Sequence, residues 1–429
     1  MKKSIKVFKF GGASVKNAEG IRNVANIIAG YKNEPLAVIV SASGKTTNQL
    51  ESVMTAYYHQ GDTANALEVV RSNHYQIMSE LFPAGHEIFD AINDTFVEID
   101  WILEEKPDKP YDYIYDQVVS IGELLSTRII SAFLNFQGIN TQWYDARDLI
   151  RTDDTYREAQ IDWEITEDNI INRVLPVLQQ GQVVLSQGFI GSTADNQTTT
   201  LGREGSDFTA AIFSFCLNAV DMTIWKDVQG VLTADPRLFR NVQKLDRLSY
   251  KEAIEMTYYG ANVIHPKTIK PLQNKNIPLY VKSFLDIEAT GTFIGPDVED
   301  NYPPIVVIEK DQTLLHIATR DFSFVVEHHM AALFKLFADL RIFVNMMRNT
   351  AISFTVCVPT VSDRIARLVQ LLELDYTVTL EENLELLTIR HYEEEVVKNI
   401  TKGKIILLEE RLRNTVQMVT KDIPLMERI

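Results

Sequence analysis

Four short runs rich in β-branched and aromatic residues each end in a small polar loop carrying glycine or serine, and this repetition restricts the chain more than any other feature. The first, Ile5-Lys6-Val7-Phe8-Lys9-Phe10, stops at Gly11-Gly12-Ala13-Ser14, after which Ile21, Val24, Ala25 and Ile28 fall at helical spacing. Leu36-Ala37-Val38-Ile39-Val40 ends in Ser41-Ala42-Ser43-Gly44-Lys45-Thr46-Thr47. Val183-Val184-Leu185 runs into Ser186-Gln187-Gly188-Phe189, and Asp221 to Trp225 into Lys226-Asp227 and Gly230. Strands and helices alternating at this spacing predict an α/β fold, a mostly parallel open sheet with helices on both faces. Ligands of such sheets bind beyond the carboxyl ends of the strands, where these loops lie.

Bulk properties set the outer limits. At 429 residues and 45% hydrophobic content the chain can form two or three domains, and no apolar run approaches the length of a bilayer crossing. Its 58 acidic against 42 basic residues, a formal charge of −16, disfavour nucleic acid as a partner. Both cysteines, Cys216 and Cys357, sit in apolar runs, which points to buried reduced thiols, no metal site and a cytoplasmic location. The basic start is followed by Lys6, Lys9 and Gly11, so no signal-peptide core is present.

The stretch Thr198-Thr199-Thr200-Leu201-Gly202-Arg203-Glu204-Gly205-Ser206-Asp207 combines three hydroxyls, two glycines and a Ser-Asp pair ahead of an apolar helix. It reads as an anion cradle; a capped helix after a glycine turn is the plainer alternative. Gly11-Gly12 offers converging amides with Lys9 just before them, an order that differs from a Walker A loop. Residues 49–110 are helical and charged. Beyond them Glu123 is a lone carboxylate in an apolar helix, either paired with Arg128 or reserved for a cationic ligand. His265, ahead of Pro266, reads as a structural hydrogen-bonder. A polar, proline-punctuated linker spans 298–304, separating a domain of residues 1–297 from one of 305–429, which reads as two β-α-β-β-α-β-like modules with the second abbreviated.

The combination of Lys9-Phe10-Gly11-Gly12, Ser41-Ala42-Ser43, Ser186 to Gly191, Thr199 to Arg203 with Gly205-Ser206-Asp207, Asp235-Pro236-Arg237 and His265-Pro266 resembles the aspartate kinases of the amino acid kinase family. The resemblance covers residues 5 to about 295 in order, and the C-terminal part looks like the paired ACT domains of those enzymes. It implies phosphorylation of the L-aspartate side-chain carboxylate by ATP with Mg²⁺ to give 4-phospho-L-aspartate, the entry to lysine, threonine and methionine synthesis. It also implies a homodimer or higher oligomer through the ACT-like region, and lysine or threonine as a candidate effector.

Carried across, the resemblance gives Arg203 the aspartate α-carboxylate and Glu123 its ammonium, with Thr47 and Phe189 completing the pocket. Lys9, Gly11, Gly12 and Ser41 would hold the transferring phosphoryl group and Asp207 would orient the cations. Lys226, Asp227, Leu232, Asp235, Arg237 and Asn262 would lie along the nucleotide. Lys9→Ala is expected to cut turnover severely with little unfolding. The chain departs from the family pattern at Asn262, where lysine is usual, at Leu232 for tyrosine, at Glu204 for glycine, and at Val344-Asn345 in the effector region. A non-catalytic amino-acid sensor of the same fold is the alternative reading.

Overall fold

The computed structural model describes residues 4–104, 106–261, 264–299, 301–321 and 323–423. Two compact units emerge. The described residues of Met1–Val231, Lys244–Thr257 and Asn262–Glu299 form the first, and those of Leu232–Gln243, Tyr258–Ala261 and Asp300–Ile429 the second.

The first unit is built on strands β1 (Lys6–Phe10), β2 (Leu36–Val40), β3 (Thr141–Tyr144), β4 (Val183–Gln187), β5 (Ile190–Ser192), β6 (Thr198–Thr200), β7 (Asp221–Lys226), β8 (Arg247–Ser249), β9 (Leu279–Ser283) and β10 (Thr292–Gly295). Eight of them form one sheet in the order β3-β4-β2-β1-β7-β9-β10-β8. The first six run parallel; β10 turns antiparallel to β9 and carries β8 with it. β5 and β6 make a separate antiparallel hairpin.

Continuous apolar sequence explains the central strands, because a parallel strand covered on both faces needs no polar side. β2 is buried along its whole length, and Phe8, Phe10 and Trp225 pack together where β1 meets β7, the last two rings stacked at 6.0 Å. Each such side chain contributes roughly 1.5–3 kcal/mol by leaving water. Helices Gly205–Leu217 and Ile121–Phe136 pack on β1, β2 and β4. The charged stretch after β2 forms helices Thr46–Tyr58, Thr63–Leu81 and Ile88–Glu104, as its periodicity predicts.

Residues 111–136, an almost continuous helical stretch, are long and apolar enough by composition to cross a membrane. The most apolar window is 83% buried within the fold, so its hydrophobicity is that of a core helix.

In the second unit β11 (Ile305–Thr319), β12 (Met346–Asn349), β13 (Ser353–Pro359), β14 (Tyr376–Arg390), β15 (Lys404–Arg411) and β16 (Thr415–Asp422) form an antiparallel sheet in the order β12-β13-β11-β14-β16-β15. The sequence suggests two strands over 376–389; they are one, continuous through a left-handed Asn383. β11 and β14 each serve two modules. The second half of β11, helices Glu327–Asp339 and Ser362–Leu372, β12, β13 and the first half of β14 enclose Leu315, Phe337, Phe354 and Leu368. The first half of β11 pairs with the second half of β14, and together with helix Glu394–Thr401 and β16 it surrounds Val306, Ile389, Val397 and Met418. The abbreviated module thus takes a strand from upstream of the first module.

Candidate active site

Sheet register brings the polar loops to one edge. Phe10 lies level with Val40 on one side and Trp225 on the other, and Val40 with Gln187. The loops after β1, β2, β4 and β7 therefore leave from neighbouring strand ends. Close backbone approach fixes two of them. A Cβ at Gly12 would stand 2.7 Å from the Ala42 carbonyl oxygen, and one at Gly188 2.4 Å from Ser206 Cβ, so both positions require glycine.

At the centre, Lys9 Nζ meets Asp207 Oδ1 at 2.6 Å, an ion pair whose two side chains are 10% and 3% exposed. Lys9 arrives on β1 and Asp207 on the first turn of the helix Gly205–Leu217, where a carboxylate also suits the helix dipole. Beyond β2, the Ala42 amide donates to Glu123 Oε1 at 3.3 Å, and the Ser126 hydroxyl donates to the Ser41 carbonyl at 2.8 Å. Ser41 and Thr47 are half-buried on either side of that loop.

Glu123 is 3% exposed, and its second oxygen, Oε2, has no hydrogen-bond partner among the described residues. Burial pushes its carboxyl up to about 8, against the opposing pull of the Ala42 amide, its own amide and the Lys9 charge. Arg128 is not its partner: that guanidinium lies over the Trp143 ring, 5.0 Å from the centroid. A buried carboxylate oxygen left open beside a cationic centre is a receptor for a charged donor.

The stretch opening at Thr198 divides between scaffold and site. Thr200 donates through both its amide (2.8 Å) and its hydroxyl (2.7 Å) to Asp116, which also receives the Arg157 amide at 3.0 Å. Thr199 shares its hydroxyl with Thr152 at 2.7 Å. The Thr200 hydroxyl ties β6 to the helix Tyr111–Val119 and the Thr199 hydroxyl ties it to the segment at Thr152, so they do not form the anion cradle suggested by the sequence. Burial raises the Asp116 carboxyl to about 6, opposed by those donors. The sequence reading missed Asp116, although a lone acid between Tyr115 and Val118 was a visible signal.

On either side of the threonine run the backbone is left-handed, at Phe189 (φ 72°) before it and at Gly202 (φ 76°) and Glu204 (φ 52°) after it. The Phe189 amide donates to Thr209 Oγ1 at 3.0 Å, which locks that turn onto the helix. Arg203, between Gly202 and the left-handed Glu204, is exposed, with its guanidinium in the field of His265. His265 Nδ1 accepts the Lys267 amide at 3.2 Å and caps the helix Pro266–Asn274, the structural role expected for it.

The chain matches the amino acid kinase family over residues 4–283. It is 32% identical to lysine-sensitive aspartokinase 3 of Escherichia coli K12 over 360 residues, 83% of this chain and 78% of that one. The chain belongs to the aspartokinase branch of the amino acid kinase family. Aspartokinase 1, chloroplastic, of Arabidopsis thaliana is 31% identical across 94% of this chain and 69% of its own length. The crystal structure of E. coli aspartokinase III with aspartate and ADP superposes with a TM-score of 0.83 and 28% identity, covering 97% of this chain and 96% of that one. The lysine and aspartate complex of the same enzyme gives 0.80.

The aspartokinase pattern expected for the nucleotide end is less concentrated. Lys226 closes β7 level with Ser283, and Asp227 follows it, exposed. Leu232, Asp235 and Arg237 fall in the segment assigned to the second unit. There Arg237 pairs with Asp235 through two nitrogens at 3.0 and 2.6 Å, with the Arg237 side chain 87% exposed. Asn262 lies outside the described residues. In the second unit Asn345 donates to Glu309 at 2.8 Å and to Gln312 at 3.0 Å. Among the described residues no group of three His, Cys, Asp or Glu side chains could hold a metal ion.

Proposed function

We propose that the chain transfers the γ-phosphoryl group of ATP to the side-chain carboxylate of L-aspartate at the loops beyond β1, β2 and β4. The open Glu123 Oε2, buried with no partner, carries this reading, because an α-ammonium supplies the donor it lacks. Arg203 is suited to the α-carboxylate through a planar, two-pronged guanidinium. Thr47 and Phe189 border the same loops.

The side-chain carboxylate of aspartate is ionised near neutral pH, so attack on the γ-phosphorus needs no general base. The carboxylate oxygen forms the new P–O bond as the bond to the bridging β,γ-oxygen breaks, and ADP leaves with that electron pair. Lys9, at 2.6 Å from Asp207, is held in place for the charge that develops on the phosphoryl oxygens. Gly11 and Gly12 let the backbone amides approach those oxygens. The residues present fit Mg²⁺ arriving on the nucleotide, since Mg²⁺ keeps phosphate and water ligands and needs no all-protein cage. When bound, Mg²⁺ would offset phosphate charge. Lys226 and Asp227, at the end of β7, are candidates for the nucleotide side.

A calorimetric titration of L-aspartate into wild type and E123Q tests the assignment. Wild type is expected to bind and E123Q to lose at least a hundred-fold in affinity; equal affinity would remove Glu123 from the ammonium site.

A further inference from the structure

Asp116, in the helix Tyr111–Val119, is fully buried, and its carboxylate is matched by neutral donors. Its Oδ2 accepts the Thr200 amide at 2.8 Å and the Arg157 amide at 3.0 Å, and its Oδ1 accepts the Thr200 hydroxyl at 2.7 Å. The Arg157 guanidinium turns elsewhere, to Asp112 at 3.3 Å and over the Tyr115 ring, 4.3 Å from its centroid. A carboxylate so buried is costly, and an apolar side chain would avoid the cost unless the acceptors themselves were needed. The helix does not need them as an anchor of its own: Tyr115 already ties it to the helix Thr46–Tyr58 by donating to Glu51 at 2.6 Å.

The three bonds hold together the two segments that lead to Arg203. Along the first, Thr200 lies three positions before Arg203, its carbonyl accepts the Ala159 amide at 3.0 Å, and the Leu201 amide donates to the Phe189 carbonyl at 2.8 Å. Along the second, Arg157 has a left-handed backbone, φ 71°, a conformation that a residue with a side chain keeps only where its surroundings impose it. Its amide is pinned by Asp116, and its carbonyl oxygen would stand 3.1 Å from a Cβ placed at Gly202. Both segments thus converge on the residue before Arg203. Because the Arg203 side chain is exposed, its backbone decides where the guanidinium starts.

We infer that Asp116 is a positioning residue for aspartate binding, setting the backbone from which Arg203 reaches the α-carboxylate. The role rests on Arg203 as the ligand of that carboxylate. Asp116 itself touches neither substrate; it acts by bridging Thr200 and Arg157.

Steady-state kinetics on wild type, D116A, D116N, T200V, R203A and D116A/R203A provide the test. D116A is expected to raise KM for aspartate ten-fold or more, with kcat and KM for ATP within three-fold of wild type; a general loosening of the fold would move all three together. D116N keeps an acceptor for the two amides and should stay within three-fold throughout. Since the effect runs through Arg203, D116A should add less than two-fold to the aspartate KM of R203A. T200V removes one donor at nearly constant size and should raise the aspartate KM three-fold or more, which carries the test if D116A does not fold. The inference is overturned if the aspartate KM is unchanged in folded D116A or in T200V, if KM for ATP rises as much, or if the D116A and R203A effects multiply. An unchanged aspartate KM in R203A would remove Arg203 from the pocket and this role with it, whereas weakening by R203A but not by D116A would remove Asp116 alone.

Discussion

Glu123 carries a buried, half-satisfied carboxyl whose charge state should govern substrate affinity. With its carboxyl near 8 in the empty protein, the anion that pairs with an ammonium becomes available only as pH rises. kcat/KM for aspartate is therefore expected to climb roughly ten-fold per pH unit from 6 and to level off above about 8. In E123Q that limb should vanish; a pH profile that keeps it would assign it to another group. Stability runs the other way. The folded-state value lies above the ordinary 4.5, so the stability of the protonated form is present below that pH and is lost as pH climbs through about 8. Thermal melts should accordingly show E123Q gaining on wild type between pH 5 and 8.

Lys9 and Asp207 revise a simpler expectation. Chemistry alone suggests that Lys9→Ala would stop turnover and leave the fold intact. The 2.6 Å pair, with Asp207 almost fully buried, adds a cost of about 3–5 kcal/mol for stranding a carboxylate. K9M is expected to lose both activity and stability, whereas K9M/D207N should recover most of the stability and none of the activity. Chemical denaturation and turnover assays on the two variants separate these effects; recovery of turnover in the double variant would exclude Lys9 from phosphoryl transfer. Lys9, Glu123 and Asp207 were legible in the sequence because each interrupts an apolar run or closes a glycine-bearing loop. The pairing of Lys9 with Asp207 was not, since it depends on β1 and the helix from Gly205 meeting across 198 positions of sequence.

At the level of elements, the loop before that helix stores strain. Glu204 occupies a left-handed conformation, φ 52°, at the helix N-cap, and its Oε2 is buried without a partner. The conformation accounts for glycine at this place in the family pattern, a reason invisible to composition. E204G should stabilise the protein by about 1 kcal/mol, read from the shift in denaturation midpoint. A loss of stability would mean that the side chain makes a contact worth more than the strain. The threonine run illustrates the opposite limit of sequence reading. Its hydroxyls looked like anion ligands, yet Thr199 and Thr200 are satisfied by Thr152 and Asp116, partners brought in by other elements. Strand existence followed from apolar periodicity; the reversal at β10 and the fusion of residues 376–390 into one strand depend on pairing that local pattern does not encode.

On the scale of the whole molecule, the chain does not divide at one point. Leu232–Gln243 leaves the sequence of the first unit, and Phe239 and Ala234 pack on the Val306 and Ile389 cluster of the second. The sequence suggests a linker at 298–304 but gives no sign of this excursion, because its apolar residues look like any surface turn until their partners are known. A chain ending at residue 299 would expose Phe239, and it is expected to melt at lower temperature and to aggregate more readily than the intact protein. Light scattering during a thermal ramp checks this; an equally stable, monodisperse fragment would show that the excursion needs no such cover.

Phosphorylation of aspartate on loops organised around Lys9, Glu123 and Asp207 is read out by ADP release under saturating Mg-ATP, with the product trapped by hydroxylamine. ADP formation is expected to saturate with L-aspartate, to be matched mole for mole by aspartyl hydroxamate, and to be abolished in E123Q at pH 7. ATP binding without aspartate-dependent ADP release from the wild-type protein would contradict it and favour a sensor built on the same fold.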